Sequence, residues 1–236
     1  RRCYNMGSWS PAVCIASRAM LITGRHVWDA QAVHPKLRAE SENQVLWPQL
    51  LEKAGYQTYM TGKWHIPTDA HRCFQSVGTV RQGMPKDSSQ AYNRPLTDKP
   101  DPWRADDADL GGYWTGGKHW SEVTAEEAIG FIEKDGRSGK PFFMYVAFNA
   151  PHDPRQSPRE FLDRYPLERV SLPRTYQADY PFKEDIGCGP SLRDEKLAPF
   201  PRTEHAVKVH RREYYALISH LDTQIGRILD KLEASG

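Results

Sequence analysis

The continuous apolar run Pro141-Phe142-Phe143-Met144-Tyr145-Val146-Ala147-Phe148 limits the possible folds of this chain more than any other segment. It is short for a core helix and rich in β-formers, which makes it a strand. Unbroken apolarity, rather than alternation, predicts burial on both faces, as in a parallel sheet covered by helices. Other segments supply the helices. Asn43 to Ala54 reads as an amphipathic helix with Val45, Leu46, Leu50 and Leu51 on one side. Gly55 stops it, and Tyr56-Gln57-Thr58-Tyr59-Met60 follows as a strand. Ser121 to Lys134 carries Ala125, Ala128, Ile129 and Ile132 at helical spacing. Ser157 to Tyr165 is expected to form a short helix with Ser157 as N-cap. Thr203 to Ala234 reads as one long helix, with Tyr214, Leu217, Ile218, Leu221, Ile225, Ile228 and Leu232 as its buried stripe. Helices alternating with buried strands predict an α/β domain.

Near the N-terminus, Trp9-Ser10-Pro11-Ala12-Val13 reads as a loop and Ala16 to Ile22 as a short helix. Gly24 would end that helix in the left-handed conformation. Two stretches, 66–118 and 166–200, hold no periodicity and are rich in Pro, Gly, Asp and Asn. Such long irregular segments in compact domains are usually functional loops or disordered. Within the first, Gly112-Tyr113-Trp114-Thr115-Gly116-Gly117-Lys118 matches half of a phosphate loop. His119 stands where Ser or Thr would hold magnesium, and no strand precedes the segment, so a nucleotide site is rejected. HExxH and GxSxG are absent, which removes the starting point for zinc-protease and esterase chemistry.

The 32 basic and 30 acidic side chains nearly cancel, giving no reason to expect nucleic acid or an anionic membrane as partner. No apolar run approaches the ~20 residues that cross a bilayer. Cys3, Cys14, Cys73 and Cys188 form no CxxC pair, so neither a zinc ribbon nor a dense disulfide framework is expected, and the pairing of any single disulfide stays open. The opening Arg1-Arg2-Cys3-Tyr4-Asn5 is neither an initiator Met nor a signal peptide, so further sequence is expected before Arg1.

Three segments carry chemistry. The first is Cys14-Ile15-Ala16-Ser17-Arg18-Ala19-Met20-Leu21-Ile22-Thr23-Gly24-Arg25, the second Gly55-Tyr56-Gln57-Thr58-Tyr59-Met60-Thr61-Gly62-Lys63-Trp64-His65, and the third Phe148-Asn149-Ala150-Pro151-His152-Asp153-Pro154. In kind, order and approximate spacing they resemble the conserved blocks of the type I, formylglycine-dependent sulfatases of the alkaline phosphatase-like superfamily. Taken singly, each residue has a plain structural reading: Cys14 as an inert core thiol, Arg18, Lys63 and Arg25 as solvated charges, His65 and His152 as ring-packing and turn residues. The ordered set is what favours catalysis.

The resemblance implies an α/β sandwich with a central mixed sheet flanked by helices. It also implies hydrolysis of a sulfate ester after a formylglycine-generating enzyme has oxidised Cys14. An aldehyde hydrate carries two hydroxyls: one attacks, activated with the help of a metal, and the other lets the sulfated intermediate collapse back to aldehyde. A thiol offers no such second hydroxyl. By the same resemblance, Cys14 is nucleophile and metal ligand, and Arg18 fixes the hydrate and offsets negative charge. Lys63 binds a sulfate oxygen as a point charge. His65, pointing to the same side along an extended segment, assists deprotonation, and His152 contacts the sulfate and helps protonate the leaving oxygen.

Position 16 is Ala where the commoner motif has Pro, which leaves the maturation enzyme less defined. The family's calcium site also needs an Asp-Asp strand end and later Asp, Asn or His, and Lys residues; these are expected outside the chain, making residues 1–236 a single incomplete domain. Calcium takes six to eight oxygen ligands, so the isolated 236 residues are expected to bind it poorly, to hydrolyse nothing, and to expose apolar surface. The irregular stretches 66–118 and 166–200 would form the substrate rim. Trp103, Arg104, Tyr113, Trp114, Arg174 and Tyr176 either contact a sugar there or pack structurally. A carbohydrate or other small sulfate ester is the expected substrate, and a periplasmic or secreted location follows from the resemblance alone. Phosphate or phosphonate ester hydrolysis, and a non-catalytic truncated module, are the alternatives.

Overall fold

The computed structural model describes residues 6–9, 13–135 and 138–236; Cys3 and residues 10–12 of the expected N-terminal loop lie outside them. The chain divides into two compact units. One comprises the residues up to Gly83 with Thr124–Asn149 and Arg227–Gly236, the other Met84–Val123 with Ala150–Gly226.

The first unit is built on three parallel strands, β1 (Gln57–Lys63), β2 (Ser76–Arg81) and β5 (Phe142–Ala147), in the order β2-β1-β5. Helices α1 (Cys14–Thr23), α2 (Val27–Val33), α3 (Leu37–Glu42) and α4 (Trp47–Lys53) precede the sheet in sequence. The α/β expectation holds. The central strand β1 is the buried one, whereas five of the six β5 residues are only half-buried. Burial on both faces, expected for the 141–148 run, therefore belongs to β1. Ala19, Ile22, Ala30, Leu37, Leu46 and Met60 form the core with Trp64 and Phe74, and Phe74 stacks on Tyr145 at 6.3 Å.

Helix α1 starts two residues earlier than its apolar pattern suggests and ends as expected at Gly24, φ 66°. The helix expected over 43–54 is shorter. Gln44 takes φ 55°, Pro48 sits in the first turn of α4, and the buried positions are Leu46, Pro48 and Gln49, while Val45 and Leu50 are exposed. The Gln49 amide explains its burial, donating to Ser41 O at 2.8 Å and Arg72 O at 2.9 Å. Strand β2 lies inside the stretch read as irregular. Its Gly78 interrupts the β-former pattern because an added Cβ would stand 2.5 Å from the Glu127 carboxylate.

In the second unit the rejected phosphate loop is a hairpin, β3 (Trp114–Thr115) with β4 (Lys118–His119). Gly116 and Gly117 supply the two positive φ values, 59° and 80°, that a tight two-residue turn demands. Helix α5 (Trp120–Asp135) follows and continues into the first unit, where Ala125, Ala128 and Ile132 are buried. The expected helix at 157–165 shrinks to α6 (Arg159–Leu162), whose N-cap is Pro158; the buried Ser157 side chain makes no cap bond.

Helix α7 (Glu204–Ala234) matches the expected span, but its buried line is Ala206, Glu213, Ala216, Leu217, His220, Gln224 and Ile228. Tyr214, Ile218, Ile225 and Leu232 of the expected stripe are exposed. Polar residues occupy the inner face because partners meet them there. Arg94 forks between two carboxylates, bonding Asp101 at 2.6 and 2.8 Å and Glu213 at 2.7 and 2.9 Å. His220 Nε2 lies 3.2 Å from Glu122. Among the described residues no helix is long and apolar enough to cross a membrane.

Candidate active site

Cys14 is the first residue of α1, so its side chain stands at the end of the helix where backbone N–H groups lack intrahelical acceptors and the dipole favours negative charge. Val13 at the N-cap has no side-chain acceptor to cover them. Cys14 Sγ lies 2.9 Å from His65 Nδ1, across 51 residues of sequence. Arg18, one turn along α1, donates from Nη1 to Lys63 O at 2.5 Å and to the Tyr145 hydroxyl at 2.8 Å. Its guanidinium carbon sits 6.0 Å from the Tyr145 ring centroid. Cys14, Arg18, Lys63 and His65 are thus gathered where α1 meets the end of β1.

The backbone explains how. Gly62 has φ 94°, and a Cβ there would fall 2.1 Å from Ala147 O, so only glycine fits between β1 and β5. The β1–β2 register shifts between Met60 and Gly62. This irregularity comes just before the buried Lys63, and bulges are common beside functional sites. The extended course expected as far as His65 is not kept: β1 ends at Lys63 and His65 takes φ 55°. The left-handed turn, rather than strand periodicity, brings the imidazole to Cys14.

Three residues that sequence reasoning gave no role support this set. Gly83 packs on the His65 ring, where an added Cβ would lie 2.4 Å from Cε1. Asn149 Nδ2 donates to Gln82 O at 3.3 Å and Gly83 O at 3.5 Å, holding that segment in place. Burial pushes the Tyr145 phenol up, with the Arg18 charge opposing, so the hydroxyl stays protonated. Only the position of Asn149 at the end of the apolar run hinted at such a role. Farther out, Glu127 accepts from Thr79 N at 2.9 Å, from Thr79 Oγ1 at 2.6 Å and from Thr61 Oγ1, tying β1 to β2. Arg81, pushed down to about 10 chiefly by burial with Glu127 opposing, ends β2 opposite Lys63.

His152 belongs to the second unit. Its Nδ1 is 2.7 Å from Asp153 O, and its carbonyl accepts from the Tyr113 hydroxyl at 2.8 Å. Of the expected rim residues, Trp103 and Tyr113 are buried core of this unit, whereas Arg104 and Arg174 are exposed. Among the described residues no group of three or more His, Cys, Asp or Glu side chains stands ready for a metal. Cys14 Sγ meets an imidazole nitrogen of His65 rather than the carboxylate oxygens calcium requires. These residues do not by themselves fit that ion.

The family model described as Sulfatase matches residues 6–236. An arylsulfatase of Clostridium perfringens is 28% identical over 99% of this chain and 52% of its own length. Iduronate 2-sulfatase of Homo sapiens is 28% identical over 94% of the chain and 43% of its own length. The chain therefore spans about half the length of the curated relatives it matches. Among solved structures, BT4656 in complex with D-glucosamine-2-N,6-O-disulfate superposes with a TM-score of 0.55 at 19% identity, over 99% of this chain and 54% of that one. Ps i-CgsB in complex with k-i-k-neocarrahexaose gives 0.55 at 19% identity, over 94% and 44%.

Proposed function

This chain belongs to the sulfatase family, and from that premise we propose that the full-length protein is a sulfuric ester hydrolase acting through formylglycine made from Cys14. The observation that carries the reading is the 2.9 Å approach of His65 Nδ1 to Cys14 Sγ, beside Arg18 and Lys63. Oxidation of Cys14 to the aldehyde by the maturation enzyme, followed by addition of water, supplies a geminal diol, an oxygen nucleophile whose second hydroxyl permits sulfate release. Sγ marks where an oxygen on the same Cβ would stand, so His65 is the base that takes its proton. Arg18, anchored on Lys63 O and Tyr145, neutralises developing negative charge on that oxygen. Lys63 offers its ammonium to a sulfate oxygen.

The substrate class is a carbohydrate sulfate. The name iduronate 2-sulfatase among the relatives and the sulfated sugar bound by BT4656 support it. A formylglycine-generating enzyme is the maturation partner. Calcium is proposed for the full-length protein, with oxygen ligands other than the Cys14-derived group supplied from beyond the described residues. The test compares aryl sulfate with aryl phosphate turnover by full-length protein made with the maturation enzyme. Sulfate should be the better substrate, and Cys14→Ala should cut its turnover about a thousand-fold or more. Preferred phosphate turnover, or full sulfate turnover in the variant, would overturn the reading.

A further inference from the structure

The second unit holds a cavity of about 390 Å³, walled by Arg155, the 194–202 segment and the early turns of α7. That volume suits a sugar-sized ligand. Leu197, Ala198, Val207 and Tyr214 give it an apolar lining. Two acids on the wall already have cations: Asp194 pairs with Arg193, and Glu195 with Arg202.

Two further guanidinium groups have no carboxylate in contact among the described residues. Arg155 donates from Nη1 to His210 Nδ1 at 3.1 Å and lies 5.8 Å from the Tyr214 ring centroid. Arg211 donates only to the Tyr215 hydroxyl. The tautomer of His210 follows from its other nitrogen: Nε2 is 2.7 Å from the carbonyl oxygen of Arg94, which can only accept, so Nε2 carries the hydrogen and Nδ1 receives Arg155. Burial, then the charges of Arg94 and Arg155, push this ring down to about 3, so it stays a neutral acceptor. Arg155 is therefore held in one orientation with most of its donors uncommitted. Arg211 Nη1 and Arg202 Nε are also buried without a hydrogen-bond partner among the described residues. Unpaired buried donors of this kind are costly and call for an acceptor.

We propose that this cavity binds a ring-bearing anion, a sugar or aryl unit carrying sulfate or carboxylate. Arg155 and Arg211 take the anionic group, and the exposed Tyr214 takes the ring. The assignment uses none of the chemistry of Cys14 and stands or falls separately.

Full-length protein carrying Cys14→Ala, whose turnover should be about a thousand-fold lower, is titrated calorimetrically with glucosamine 6-sulfate, 4-nitrophenyl sulfate, inorganic sulfate and glucosamine. At least one sulfated ring probe should bind with a Kd below about 1 mM. Arg155→Gln and Arg211→Gln should each weaken it roughly ten-fold or more, and the exposed Arg38→Gln should not. Tyr214→Ala should weaken the ring probes and leave inorganic sulfate unchanged. Which ring probe prevails separates a sugar from an aryl ligand. Should Arg155→Gln unfold through its contact with His210, Arg211→Gln carries the test. Affinity unchanged in the folded arginine variants, no binding of either ring probe, or inorganic sulfate binding as tightly as both would overturn the proposal.

Discussion

Gly83→Ala tests whether His65 is held in place by packing. Gly83 avoids the left-handed region, so alanine meets no backbone penalty there. Its Cβ, however, would stand 2.4 Å from His65 Cε1 and 2.7 Å from both ring nitrogens, where ordinary contact begins at 3.4 Å. The ring must retreat by about 1 Å. It cannot do so by an easy backbone shift, because His65 already holds φ 55°, and Asn149 fixes the 82–83 segment from behind. A shift of about 1 Å disturbs the 2.9 Å approach of His65 to Cys14. Misplacement of that size costs up to about 100-fold in rate, whereas the overpacking itself costs about 1–3 kcal/mol of stability. Full-length protein would be assayed for kcat with an aryl sulfate across pH, alongside its urea midpoint and the oxidation state of Cys14. The expected result is a large fall in kcat with folding and Cys14 oxidation retained. Wild-type kcat with an unchanged pH profile would refute the packing argument.

Tyr145→Phe removes the hydroxyl that accepts from Arg18 beside Lys63 O. It should cost about 1 kcal/mol of stability and several-fold in kcat/KM while leaving Cys14 oxidation intact; unchanged kinetics would separate Tyr145 from the site. Glu127→Ala strips Thr61 and Thr79 of a shared acceptor and should lower stability by about 2–3 kcal/mol in urea titrations. An effect below about 0.5 kcal/mol would show that β1 and β2 do not depend on it. His210, depressed from 6.5 to about 3 when folded, contributes stability that is present above its unfolded value and lost as pH falls through 6.5 toward 3. Moving from pH 6.5 to pH 5 should cost about 2 kcal/mol through this group. His210→Gln should flatten that part of the urea-midpoint profile, and an identical slope in the variant would rule the group out.

The sequence was most legible where chemistry or a glycine fixed the local backbone. The three motif blocks, the α1 terminus at Gly24 and the spans of α5 and α7 could all be read directly. Errors arose where tertiary partners overrode pattern. The apolar line of α7 suggested Tyr214, Ile218 and Ile225 as core, yet the buried line admits Glu213 and His220 because Arg94 and Glu122, distant in sequence, meet them. For Trp103 and Tyr113 sugar contact and structural packing both stood open, and they are buried; aromatic burial in an irregular segment leaves no periodic trace. Strand β2 was missed for a similar reason, since Gly78 breaks its pattern to admit Glu127. The approach of His65 to Cys14 depends on a left-handed residue that residue spacing does not encode.

The most direct measurement is the mass of the peptide containing Cys14, from full-length protein produced together with a formylglycine-generating enzyme. The account predicts the aldehyde or its hydrate at that position, and recovery of only the unmodified thiol would contradict it.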